Sequence, residues 1–299
     1  MPESNETRWS LERMEVGGRL QELRTRTGLT LSQVARHPLL RERGVKLDAT
    51  ALSRLENGRR SISRETVDAL LDSYEARAEE RQEILALLTV DATRRRRPSL
   101  WRRHAAVLSP MQFEGYLTLE PRASRLRNYQ PALIQGLLQT PDYARHVIER
   151  MRPDLSPADV RGLVDVRIDR QRKVEDGALT EFRALIDGSS LRRVIGGEAV
   201  MRAQLEHLLA ASEQPRNTIR ILPETVGCHP GLAGPFVLMS FPTVTREVVW
   251  VEIMDRSVYF EEPAEVDRYA QVFRDLWNRA LEPDDTRAHL KKLIKEPSQ

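Results

Sequence analysis

The stretch Asp48-Ala49-Thr50-Ala51-Leu52-Ser53-Arg54-Leu55-Glu56-Asn57-Gly58-Arg59-Arg60 constrains this chain more than any other. Asp48 suits a helix N-cap, because its short carboxylate accepts from free backbone N–H groups of the first turn. Leu52 and Leu55 stand three apart on one face, while Thr50, Ser53 and Arg54 lie off that apolar line. Asn57-Gly58 supplies the left-handed residue that ends a helix, and two arginines follow at once. A short helix with a polar outer edge and cations beyond its end fits a DNA groove while its flanks grip phosphates. Any surface helix stopped by glycine shows the same pattern, so the flanks must decide.

Before this stretch, Leu20 and Leu23 make a narrow apolar stripe on a helix that Gly28 stops. Thr30-Leu31-Ser32-Gln33 has capping-box spacing and opens a second short helix through Val34 and Ala35. After it, Val67, Leu70 and Leu71 stand at helical spacing, and Ile84, Leu85, Leu87 and Leu88 predict a fifth helix. Five short helices over this length make a small domain with one core. Charge follows the same division. Residues 1–104 carry 21 Lys and Arg against 16 Asp and Glu, a net +5, and the remainder 26 against 28, a net −2. A basic front and a neutral rear are expected of a nucleic-acid-binding domain joined to another body.

Thr93-Arg94-Arg95-Arg96-Arg97-Pro98 reads as an extended connector, since proline disfavours helix at the residue before it. Its arginines fit either a tether on the DNA backbone or a solvated hinge. Beyond it a helix is expected over Ser109–Arg127, others over 156–174, 198–211 and 263–281, and strands at 182–186, 218–222, 235–241, 248–254 and 257–260. The expected fold class is mainly α followed by α+β, the second domain holding a largely antiparallel sheet. The boundaries expected are a disordered tail over 1–15, a helix-turn-helix domain over 16–90, a linker over 91–108, a larger domain over 109–285 and a tail over 286–299.

A single cysteine, Cys228, excludes an intrachain disulfide framework and suits a reducing cytoplasm. No apolar run approaches the roughly 18–20 residues of a membrane span, and the polar, acidic start is unlike a signal peptide. The six histidines form no metal-binding spacing, and no nucleophile elbow or Gly-rich phosphate loop occurs. Neither an enzyme nor a cofactor is expected. Cys228-His229 reads as a structural pair in a Gly/Pro-rich loop. Arg167, Arg170 and Arg172 fit either an anion clamp or a salt-bridged helix face beside Asp165 and Asp169. Pro230–Pro235 fits either a mobile lid or a hairpin connection.

Gly28-Leu29-Thr30, Ala35 and Leu52–Arg60 resemble the lambda-repressor-like, or XRE, helix-turn-helix family over residues 16–90. The resemblance implies five helices, with the one holding Ala49–Asn57 in the major groove. It places Ala49, Thr50 and Arg54 at base-facing positions and Asn57, Arg59 and Arg64 at phosphates, to which Arg60 is added. It also pairs Arg24 with Glu56 in an internal salt bridge. Leu31 and Ala49 stand where members usually carry glutamines. A guanidinium at Arg54 still matches a guanine O6/N7 edge, and Ala49 or Thr50 a thymine methyl. The usual tight turn is replaced by the longer segment 36–47, whose Arg36, Arg41, Arg43 and Lys46 either add phosphate contacts or line a solvated loop.

Gln135–Thr140, Tyr143-Ala144-Arg145, Arg167–Gln171, Leu191–Gly197, Met201 with Gln204-Leu205, and Ile221-Leu222-Pro223 are similar to the DUF5753 domain. That domain follows this helix-turn-helix in actinobacterial, Scr1-family antitoxin-like regulators, many encoded beside a small DUF397 protein. Asp187 stands where members commonly carry Glu, and Gln135 where Pro is usual. Together the resemblances imply a homodimeric, sequence-specific transcriptional regulator acting on double-stranded DNA and controlled by a small DUF397-like partner. The alternative is a small-molecule sensor, favoured by an apolar pocket lined by Phe236, Trp250 or Tyr259. The residues offered for ligand or partner are Arg167, Arg170, Arg172 and Trp250.

Overall fold

A computed structural model describes residues 11–58, 60, 62–94, 108, 113–242, 247–253 and 256–295. The chain forms two compact units: Met1–Pro98 with Glu114–Leu119, and Ser99–Phe113 with Glu120–Gln299.

The first unit holds α1 (Leu11–Thr27), α2 (Leu31–Ala35), α3 (Pro38–Glu42), α4 (Ala49–Glu56), α5 (Arg64–Ser73) and α6 (Ala78–Arg94), and α7 is Glu114–Leu119. Leu20, Val34, Leu40, Leu52, Val67, Leu70 and Leu71 meet in one core and are fully buried. Helices α2, α4 and α5 each start on a side-chain cap, whereas α3 starts on Pro38 without one. Thr30 and Gln33 form the complete capping box, Asp48 Oδ1 accepts from the Ala51 N–H at 2.6 Å, and Ser63 accepts from the Thr66 N–H.

Three expectations for this unit are corrected. Helix α1 starts at Leu11, inside the supposed tail, and runs through Gly17-Gly18 without a break. The reason is close packing: a Cβ on Gly17 would lie 2.4 Å from the Glu56 carbonyl oxygen, so glycine lets α1 cross the end of α4. The segment 36–47 is not a bare loop but contains α3, docked through the fully buried Leu40. The described residues 11–94 therefore hold six helices rather than five. Helix α6 continues through Arg94, past the expected linker start, because no breaker precedes Pro98.

The second unit is α+β. Its strands are β1 (Arg125–Gln130), β2 (Glu181–Asp187), β3 (Asn217–Leu222), β4 (Phe236–Ser240), β5 (Val248–Ile253) and β6 (Arg256–Phe260), in the order β3-β2-β1-β4-β5-β6. The three strands β1, β2 and β3 run parallel, joined by crossovers that contain α8 (Pro141–Met151) with α9 (Pro157–Glu175), and α10 (Gly188–Arg192) with α11 (Glu198–Ala211). The other three pairings are antiparallel, so the sheet is mostly antiparallel as expected. One face packs Tyr129, Leu185, Phe236, Leu238 and Val249 against Val266, Phe273 and Leu276 of α12 (Pro263–Arg279). Ala184, Ile186, Ile219, Ile221, Val237 and Met239 alternate with these and are buried too, so the centre of the sheet is covered on both faces.

Two further corrections fall here. Residues 125–127 are not helical but open β1, a central strand. Its arginines hide the period-2 pattern in which Leu126 and Tyr129 turn to opposite faces. Residues 286–295 of the supposed tail belong to α13 (Pro283–Lys295), whose Leu290 is fully buried. Thr286 Oγ1 at its start accepts from the Ile221 N–H and so covers the edge strand β3.

Candidate nucleic-acid interface

Helix α4 is built to show one face. Ala51, Leu52, Leu55 and Glu56 are buried, whereas Thr50 and Arg54, four apart and therefore side by side, are exposed. Ala49 and Ser53 flank them and are half-buried. The far end of α4 is fixed by three contacts. Glu56 binds Arg24 bidentately, Nε to Oε1 at 2.6 Å and Nη2 to Oε2 at 2.9 Å, and Arg24 Nη1 also donates to the Leu29 carbonyl at 2.8 Å. The hydrogen bonding of Arg24 to Glu56 raises the Arg24 pKa, outweighing the opposing effect of burial. Gly58, at φ 67°, turns the chain, and a Cβ there would fall 2.9 Å from Met14 Cα. The expected Arg24–Glu56 pair is thus present and structural.

The remaining basic residues divide. Arg36, Arg41, Lys46, Arg54 and Arg60 are exposed and make no ion pair with a described residue. Arg64 is exposed, with Asp68 only at 3.9 Å. Arg43 is different: its guanidinium is bound by Asp72, to which Arg81 also bonds, so it clasps the inserted segment to α5 rather than standing free. Asn57 caps α4, half-buried. Arg59, Arg95, Arg96 and Arg97 lie outside the described residues, and of Arg94 only the backbone is described. The clasp and the Gly17 crossing were not foreseen. The Gly17-Gly18 pair inside a helical pattern was the available signal for the crossing.

In the second unit, Arg167, Arg170 and Arg172 do not converge as a clamp. Arg170 Nε lies 2.6 Å from Glu120 Oε2, both side chains buried. Arg167 donates to Gln139 Oε1. Burial, then the neighbouring Arg170 charge, pushes the Arg167 guanidinium down to about 10. Arg172 is exposed on another side of α9. Trp250 is buried edge-on to Phe113, over which Arg170 also lies. These side chains belong to a scaffold around the 135–140 turn. Gln135 Nε2 donates to the Leu185 carbonyl, Gln204 Nε2 to Leu138, and Gln171 Nε2 to both Gly136 and Gln139. The N–H groups of these amides, donating to backbone carbonyls, fix the turn between β1 and α8.

At the carboxyl ends of the parallel strands, Asp187 Oδ1 accepts from the Ser189 N–H and caps α10. Asp187 Oδ2 lies 3.9 Å from Nε2 of the buried His229, while Cys228 is exposed. Among the described residues no group of three or more His, Cys, Asp or Glu is placed to hold a metal. No described helix is long and apolar enough to cross a membrane.

Residues 15–84 match a family described as helix-turn-helix domain. Residues 113–292 match the family described as domain of unknown function, DUF5753. Neither curated proteins nor solved structures provide a match. The helix-turn-helix domain is the DNA-binding part, and the exposed Thr50/Arg54 face of α4 is its candidate reading surface. The second match spans more than half of the chain, which therefore belongs to the DUF5753 family, with a helix-turn-helix domain at its front.

Proposed function

We propose that the chain is a sequence-specific transcriptional regulator that reads operator DNA through α4. The observation that carries this reading is the exposed Thr50/Arg54 face on a helix whose other end is tied to α1 by Arg24–Glu56. Arg54 takes a guanine edge, Ala49 and Thr50 touch a thymine methyl, and Asn57, Arg59, Arg60 and Arg64 hold phosphates. Arg36, Arg41 and Lys46 extend the phosphate contacts across the inserted segment. The regulator acts as a homodimer, because one helix of eight residues reads few base pairs and twofold pairing doubles the site. The second unit serves binding and control rather than catalysis.

The test is titration of upstream DNA with wild type and Arg54→Ala, with a salt series and mixed-sequence competitor. Arg54→Ala is expected to lose about 1–3 kcal/mol of preference for the site while keeping its salt slope. Equal binding of all sequences by both proteins refutes the assignment of α4.

Control by a small DUF397-like partner predicts co-purification with the product of an adjacent small gene; no complex at micromolar concentration counts against it. A second reading, control by a small molecule, is favoured by a specific observation. A groove of about 450 Å³ lies in the second unit, lined by Phe236, Val251, Phe260 and Tyr269 with Arg268 beside them. Its volume falls within the roughly 300–1,000 Å³ of ligand pockets. Neither Trp250 nor Tyr259 lines it.

A further inference from the structure

The groove deepens the small-molecule reading. Its walls come from three directions: Phe236 from β4, Val251 and Phe260 from β5 and β6, and Ala264, Tyr269 and Val272 from α12. Tyr269 stands 5.2 Å from the Phe236 ring and 5.3 Å from the Phe260 ring, so the floor is an aromatic cluster. The fourth wall is the Pro230–Pro235 segment, and it is seated rather than loose. A Cβ on Gly231 would come 2.7 Å from Leu276 Cδ1 and Tyr129 Cε1, so the turn lies directly on the core. Gly234, at φ 140°, then bends the chain into β4, a conformation L side chains rarely adopt. Neither reading of this segment holds: β3 and β4 are not paired, so it is no hairpin connection, and it sits on the core rather than over it as a mobile lid.

The groove stays open because α12 places Ala264, too small to fill it, near its start. At its mouth are two charges one turn apart, Glu265 and Arg268, both exposed. They form no ion pair with each other, and Arg268 pairs with no other described residue. A guanidinium beside an aromatic trough complements an acid group on an apolar body.

We propose that this groove binds a small amphipathic acid, its flat or branched apolar part on Phe236, Phe260 and Tyr269 and its anionic group at Arg268. Glu265 opposes that anion and keeps the affinity moderate. The ligand is the effector if the regulator reading holds, but binding itself requires no DNA. Its failure is therefore distinguishable from failure of that reading.

The test uses fluorescence titration of the full chain with 1-anilinonaphthalene-8-sulfonate, an aromatic anion, and with N-phenyl-1-naphthylamine, its neutral counterpart. Wild type is expected to bind the anion saturably, one per chain. Arg268→Ala weakens the anion by about two- to fivefold, as for a solvent-exposed ion pair, and leaves the neutral probe unchanged. Glu265→Gln strengthens the anion by a similar factor. Ala264→Trp, an exposed position on the groove wall, abolishes binding of both probes while circular dichroism and melting temperature stay as in wild type. Probe binding by Ala264→Trp equal to wild type, or no saturable binding in wild type, overturns the site. Equal loss of both probes in Arg268→Ala overturns the anionic part.

Discussion

Replacing Glu56 by alanine should loosen α4 without touching any residue proposed to face DNA. The Glu56 side chain is 3% exposed and that of Arg24 14%, and the two meet through two hydrogen bonds of 2.6 and 2.9 Å. At an effective dielectric of about 20, charges about 4 Å apart attract by about 4 kcal/mol. Removing one partner of a buried pair costs about 3–5 kcal/mol, chiefly because the other charge stays buried and uncompensated. Arg24 keeps its bond to the Leu29 carbonyl and some solvent contact, which places Glu56→Ala near the lower end, at about 3 kcal/mol. The assay is native-state hydrogen exchange at the Leu52 and Leu55 amides of the full chain, which reports this unit separately from the other. The control is Arg24→Met together with Glu56→Leu, expected within about 1 kcal/mol of wild type because no charge is then stranded. Protection lost by less than about 1 kcal/mol in Glu56→Ala, or a double variant no more protected than the single one, refutes the reasoning.

Leu40→Ala tests whether the inserted segment is part of the core. Leu40 is fully buried, so truncation should cost about 2–5 kcal/mol by thermal unfolding, and a cost under about 1 kcal/mol would return the segment to a peripheral loop. Glu80 gives an acid-dependent term. It accepts from both Arg26 guanidinium N–H groups and from the Arg77 backbone N–H, and these bonds, Arg26 foremost, pull its carboxyl down to about 2. A depressed folded-state pKa stabilises above the usual carboxylate range, and that contribution is lost as pH falls toward 2. The stability gap between wild type and Glu80→Gln should therefore shrink between pH 6 and pH 3 in urea titrations; a gap that does not change with pH contradicts the assignment.

Much of the first unit was legible because its signals are local. A cap, a leucine pair three apart and a glycine stop act within a few residues, and Asp48, Leu52, Leu55 and Gly58 do what their chemistry implies. The exposure of Thr50 and Arg54 follows from the same period. The inserted helix was missed because Pro38–Glu42 is too short for periodicity, and its Leu40 becomes informative only against the core it fills. Strand β1 was missed for the converse reason. Arg125 and Arg127 make it polar in sequence, and only pairing on both sides with β2 and β4 makes it a central strand.

The motif residues of the second unit show the limit most clearly. The sequence alone determined that Gln135, Gln139, Arg167, Arg170, Gln171 and Gln204 belong to a recognisable pattern, and it left open whether they bind a ligand. Tertiary structure gave them another task, since residues up to 66 positions apart meet to hydrogen-bond the backbone of one buried turn. Of the groove beside Arg268 the sequence pointed only to Phe236 and the 230–235 segment, for the rest of its lining is spread as far as Val272 and none of it is unusual alone. Short-range chemistry sets caps, faces and stops within the reach of a turn. Which polar groups end up spent on each other and which face open space is decided only when distant segments exclude water between them.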